Sequence, residues 1–149
     1  MTGWRLGYCA APKNIIESML LVLQQSSRGP ATFVQDGGIA ALTGPQDCVH
    51  EMREVYTQRR QAVSAALAGI PKVDILEPEG GFFTMLDVQR TGRSSDEVRR
   101  YLLHEHGLVL IHGRAYGEGG EGTLRVSFAS GGENLSRGLE LLRQGLQSL

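Results

Sequence analysis

Lysine is scarce in this sequence: the 149 residues contain only Lys13 and Lys72. Each directly follows a proline, Pro12 or Pro71, at the expected start or end of a helix, where a solvated cap is the natural reading. Cysteine is equally scarce. Cys9 and Cys48 lack metal-ligand or redox spacing and read as free thiols, which points to a reducing, cytoplasmic setting. No cluster of His, Cys and carboxylates has metal spacing, so no metal site is expected. Neither sign of charge is in excess. With 15 basic and 16 acidic side chains the net charge is −1, and there is no electrostatic case for nucleic acid or an anionic membrane as partner. Long apolar runs are missing too. The longest, Ile15 to Leu23, is broken by Glu17 and Ser18 and is too short to span a bilayer. Met1 to Arg5 does not resemble the basic start of a signal peptide. Gly117 to Gly122 is not followed by the Lys-Ser/Thr of a nucleotide-binding loop, and Ser127 lacks the context of a nucleophile elbow.

What is present is an ordinary 41% of hydrophobic residues and an unusual 20 glycines. The length suits one compact domain with its own core rather than two full domains. Trp4 to Ala10, apolar and closed by Pro12, predicts a strand. Ile15, Ile16, Met19, Leu20 and Leu23 share one helical stripe across Asn14 to Gln25. Ser26 to Pro30 reads as a loop. Thr32 to Leu42 is a weaker helix, because Gly37 and Gly38 each cost about 1 kcal/mol in a helix interior. A long helix follows, with Pro45 at its first position, Asp47 in its first turn and Gly69-Ile70-Pro71 as its stop. Phe82 to Val88 is β-like. Ser94 and Glu97 form a capping box for a helix to His106, closed by Gly107. Leu108 to Ile111 predicts a short buried strand, His112 to Gly122 a glycine-rich loop, and Leu124 to Ala129 a strand. Leu135, Leu139, Leu142, Leu146 and Leu149 stripe a last helix from Glu133. The order after Pro45 predicts an α/β layer with helices on a small sheet.

Three segments carry a more specific signal. The first is Met1-Thr2-Gly3-Trp4-Arg5-Leu6-Gly7-Tyr8, which by itself reads as an ordinary turn with a surface arginine. The second is Glu77-Pro78-Glu79-Gly80-Gly81-Phe82-Phe83, a glycine turn feeding a strand; alternation would put the two rings on opposite sides, so at most one could line a pocket. The third runs from Val109-Leu110-Ile111-His112-Gly113-Arg114-Ala115-Tyr116-Gly117 to Leu124-Arg125-Val126-Ser127-Phe128-Ala129. An inward Arg125 on so apolar a strand would need an anion, either a ligand carboxylate or a structural salt bridge.

In this order and spacing the three segments resemble the C-terminal portion of a fold-type-I, pyridoxal-phosphate-dependent aminotransferase of class I/II, similar to aspartate aminotransferase. The resemblance covers the whole chain. It departs from the family pattern at His112, where proline is usual, at Tyr116, where phenylalanine is common, and at Arg114, which is often serine. It implies that residues 1–45 are a remnant of the cofactor-binding large domain and that 46–149 form the small domain, the long helix crossing the junction. It implies that Arg5 grips the cofactor phosphate, that Arg125 binds the substrate α-carboxylate and that Phe82 borders the substrate pocket. The Schiff-base lysine of the family would lie just before Met1, so no catalytic residue is expected within the chain. The implied reaction moves an amino group between an amino acid and a 2-oxo acid, although related lyases and synthases share these segments. The chain alone is expected to be inactive, not to hold pyridoxal phosphate, and to form a homodimer or swapped oligomer. The competing reading is a non-catalytic remnant, or the effector domain of an aminotransferase-like transcription regulator.

Overall fold

A computed structural model describes residues 1–27 and 29–149. The chain divides into two compact units, Met1–Cys48 and Val49–Leu149. Of the expected loop Ser26 to Pro30, Arg28 lies outside the described residues.

The first unit contains two helices, α1 (Lys13–Ser26) and α2 (Thr32–Thr43). Both appear where the apolar spacing puts them. The predicted strand from Trp4 to Ala10 does not form. Thr2–Trp4 is a 3-10 turn, Arg5 follows with a left-handed φ of 56°, and residues 6–10 have no regular structure. A strand exists only through a ladder to a neighbour, and among the described residues no strand lies beside this segment. The two glycines that weaken α2 have a packing reason. A Cβ on Gly37 would lie 3.1 Å from the Trp4 ring, and one on Gly38 would collide with Leu6.

The second unit is a four-stranded antiparallel sheet with three helices. The long helix α3 spans Asp47–Leu67 and starts two residues after Pro45 rather than at it; Gly69, at φ 69°, turns the chain after it. The strands are β1 (Asp74–Leu76), β2 (Phe83–Asp87), β3 (Ile111–His112) and β4 (Thr123–Ser127), in the order β1-β2-β4-β3. Strand β1 is additional to the sequence-based expectation. The expected buried strand Leu108 to Ile111 shrinks to the two residues of β3, which pair only with β4. As an edge it is not buried: Val109 is 83% exposed and Ile111 37%.

Helices α4 (Ser95–His106) and α5 (Gly132–Gln147) complete the unit. Leu86, Leu124 and Val126 of the sheet are buried together with Val63 and Leu67 of α3, Val98 and Leu102 of α4, and Leu139, Leu142 and Leu146 of α5. The leucine stripe read from the sequence is thus the face that α5 turns to the core. Arg143 of α5 donates to the carbonyls of Ala66 (2.6 Å) and Ala68 (3.1 Å), satisfying acceptors at the end of α3 that the helix itself cannot pair. None of the described helices is long and apolar enough to cross a membrane.

The start of α4 gathers three carboxylates. Ser94 caps it in a full capping box with Glu97, and Gly107 ends it in the left-handed conformation, both as the sequence predicts. Glu121 accepts from the buried Ser95, from its N–H at 3.1 Å and its hydroxyl at 2.9 Å. Hydrogen bonds hold all three carboxyls below their ordinary values: Glu97 through the Ser94 hydroxyl, Glu121 through the Ser95 N–H, and Asp96 through Arg99. A depressed folded-state value adds stability above the ordinary carboxylate range and loses it as pH falls through the lowered values. Urea unfolding followed by circular dichroism is therefore expected to give a midpoint that declines from about pH 4 downwards. Ser94→Ala should destabilise by about 1 kcal/mol at neutral pH, with a smaller difference in acid, where Glu97 no longer completes the box.

Candidate functional site

The helices cover one face of the sheet and leave the other open. Along β4, Leu124 and Val126 are buried, while Thr123 and Arg125 are half-buried and Ser127 is exposed. Arg125 therefore does not point inward. It alternates with the core residues and stands on the open face, as the period of two requires. Its register partner is Met85 on β2 and Ile111 on β3.

Two aromatic rings hold the Arg125 guanidinium. Its central carbon lies over the Phe83 ring at 4.2 Å and over the Tyr116 ring at 4.7 Å. The four ion pairs among the described residues use Lys13, Arg90, Arg99 and Arg100 as cations, so Arg125 is not spent in a structural salt bridge there. Arg125 also borders a groove of about 290 Å³ along β3, β4 and α5, whose lining includes Ile111, Val126, Ser127, Leu135 and Leu139.

Phe83 opens β2, and Phe82 lies just before the strand, so alternation does not separate the two rings. Their centroids are 4.5 Å apart, and Phe82 also stacks on Tyr56 of α3 at 6.0 Å. Arg59, one turn further along α3, lies 5.2 Å from the Tyr56 ring and donates to the Ala129 carbonyl at 2.5 Å. Arg60 donates to the Pro78 carbonyl at 3.2 Å. Helix α3 thus fixes both the turn that leads into β2 and the exit of β4, the two segments that place Phe83 and Arg125.

Tyr116 comes from the glycine-rich loop, which folds as two 3-10 turns, Gly113–Tyr116 and Glu118–Gly120. The turns meet where Gly113 and Gly120 are in backbone contact. A Cβ on Gly113 would overlap both the Thr123 hydroxyl and the Gly120 carbonyl, which Thr123 bonds at 2.7 Å. Gly113→Ala should destabilise by about 1–3 kcal/mol through this overpacking. Gly119→Ala, where a Cβ meets nothing within 4 Å, should stay within about 0.5 kcal/mol of the parent. Paired urea titrations check both.

The family profile described as aminotransferase class I and II matches residues 1–140. The chain belongs to this family. Over 149 residues it is 35% identical to an aspartate aminotransferase of Pyrococcus horikoshii, covering 99% of this chain and 38% of that protein. An aromatic aminotransferase structure from Pyrococcus horikoshii superposes with a TM-score of 0.90 at 33% identity, over 99% of this chain and 40% of the other. The aspartate aminotransferase of Thermus thermophilus with maleate superposes with a TM-score of 0.86 at 30% identity, over 97% of this chain and 38% of that one. This chain thus spans about 38% of the length of the curated relative.

Within this member of the family, the second and third of the three segments converge on Arg125. The ring on Arg125 from the second segment is Phe83, and Phe82 reaches Arg125 only through it. The first segment stays in the other unit. Arg5 is exposed there, at a left-handed φ of 56°, and with Met1, Leu6 and Gly7 it borders an open cleft. A non-glycine residue in this region is strained by roughly 1–3 kcal/mol and marks a position worth a functional hypothesis.

Proposed function

We propose that this chain is the C-terminal part of an aminotransferase that moves an amino group between an amino acid and a 2-oxo acid, with Arg125 as the anchor for the substrate α-carboxylate. The observation that carries this reading is the half-buried Arg125 fork, held by two rings and not engaged in any of the ion pairs among the described residues. A planar guanidinium with donors to spare is suited to a carboxylate. The maleate named with the Thermus enzyme is a ligand of that class.

Residues 1–45 act in this reading as a piece of the large domain and 46–149 as the small domain. Pyridoxal phosphate, when bound to the complete enzyme, supplies the electron sink for the reaction. The residues here fit one end of it. Arg5, beside Gly3 and Gly7 and facing an open cleft, has the charge and fork to bind a phosphate dianion. The other end needs a lysine amine, and neither lysine suits it. Lys13 is exposed and lies 3.7 Å from Glu17 within α1, and Lys72 sits exposed in a turn at φ 63°. The chain alone is therefore expected to be inactive and to form no covalent link with pyridoxal phosphate. Incubation with the cofactor, borohydride reduction and intact-mass analysis test this. A stoichiometric adduct on one lysine together with turnover would contradict it. The positive test is a chimera that joins this chain to the preceding portion of the Pyrococcus horikoshii enzyme. If the folded chimera binds pyridoxal phosphate yet transfers no amino group, the functional reading fails.

A further inference from the structure

Arg125 lies on an exposed face of a small sheet, where a long side chain ordinarily samples several rotamers. Here two aromatic rings flank it. Phe83 from β2 and Tyr116 from the glycine-rich loop place their rings 4.2 and 4.7 Å from its central carbon. The two rings belong to elements that are themselves fixed. Phe83 pairs with Ser127 in the sheet and touches Phe82, which stacks on Tyr56. Tyr116 ends a turn locked by the contact of Gly113 with Gly120. Tyr116 itself is 58% exposed, so burial of its own surface does not account for its position. A ring carbon accepts no strong hydrogen bond from a guanidinium. The parts of the fork that the rings cover are closed to a ligand oxygen, and the remaining N–H groups are left to bind one.

We infer that Phe83 and Tyr116 are positioning residues that hold the Arg125 guanidinium in one orientation before a carboxylate arrives. This rests on the reading of Arg125 as a carboxylate anchor. It also assigns a task to the tyrosine at a position where the family commonly has phenylalanine. Either aromatic ring can perform that task, and an aliphatic side chain cannot. Orientation before binding removes the entropy that a free arginine would lose on forming a bidentate pair.

The test uses the full chain labelled with nitrogen-15 and follows the Arg125 Nε–Hε signal, assigned by its loss in Arg125→Lys. Ring currents should place the Hε proton upfield of exposed arginines, and maleate should shift the signal. Tyr116→Phe should retain both properties. Tyr116→Leu should return the proton toward the exposed position and weaken maleate binding about three- to tenfold, the scale of a cation–π contact. Phe83→Leu should act the same way. Unchanged methyl signals of Leu124 and Val126 show that a variant is folded. A wild-type Hε position in folded Tyr116→Leu and Phe83→Leu overturns the inference. If the ring-dependent shift is present but maleate moves the signal in no variant, the positioning stands and the carboxylate assignment of Arg125 falls.

Discussion

In the chimera with the Pyrococcus horikoshii enzyme, Arg125→Leu is expected to lower kcat/KM for amino acids on the order of a hundredfold, about 3 kcal/mol. The magnitude follows from what the substitution leaves behind. A substrate carboxylate stripped of water would face leucine instead of two charge-assisted donors, and the loss falls in the range for one member of a charged pair left unpaired. The amine with the same side chain and no carboxylate should lose little. Arg125→Lys keeps the charge but not the planar fork and should fall between the two. Stability should fall by less than activity. Arg125 contributes two cation–π contacts on the open face of the sheet, together about 1–2 kcal/mol, and nothing to the core behind Leu124 and Val126. Equal losses on amino acids and amines, measured side by side, would contradict the anchor role.

The second large effect concerns association. Light scattering on the full chain should give a dimer or larger species, whereas residues 46–149 should be monomeric. Helix α1 has no buried residue. Met19, Leu20, Leu21, Val22 and Leu23 follow one another in sequence, and each is at least 46% exposed. Five consecutive apolar residues go more than once round a helix, and a helix apolar all round belongs inside a larger structure. An apolar hollow of about 580 Å³, lined by residues that include Cys9, Ile16, Met19, Leu20 and Leu23, adds to the uncovered surface. A second copy offers the same surface and can cover it. The second unit differs, since Leu86, Val98, Leu102 and Leu124 are fully buried within it. Leu21→Glu with Val22→Glu should shift the full chain toward monomer. A monomeric full chain whose α1 amides resist hydrogen exchange would contradict this expectation.

The elements that could be read from the sequence are those whose causes are local. Ser94, Glu97 and Gly107 act within one turn of the helix ends they define, and the leucines of α5 announce its buried face by spacing alone. The three segments that resemble class I and II aminotransferases were sufficient for the family, which the profile match bears out. What could not be read depends on partners distant in sequence. Strand β1 is three residues long and exists because Ile75 pairs with Leu86. Trp4 to Ala10 has the composition of a strand but no neighbour among the described residues. The orientation of Arg125 was in fact legible, because Leu124, Val126 and Phe128 alternate with Arg125 and Ser127, and a strand with one apolar face turns its arginine the other way. The contact of Phe83 and Tyr116 with that arginine was not legible. It joins residues from two strands and a loop: the register of β2 with β4 brings Phe83 to Arg125, and the glycine-rich loop brings Tyr116.

The backbone contact between Gly113 and Gly120 sets a rule for anyone who wishes to vary this loop by directed evolution. A Cβ on either glycine would overlap the backbone of the other, and substituting both would compound the clash rather than relieve it. Gly117, at φ 129°, and Gly122, at φ 80°, are held by backbone conformation as well. A library that keeps these four glycines and Tyr116, and randomises Arg114, Ala115, Glu118 and Gly119, varies the chemistry of the loop while keeping the contacts that close its two turns. A library that spreads its diversity evenly over the loop spends most of its members on chains in which the two turns no longer close.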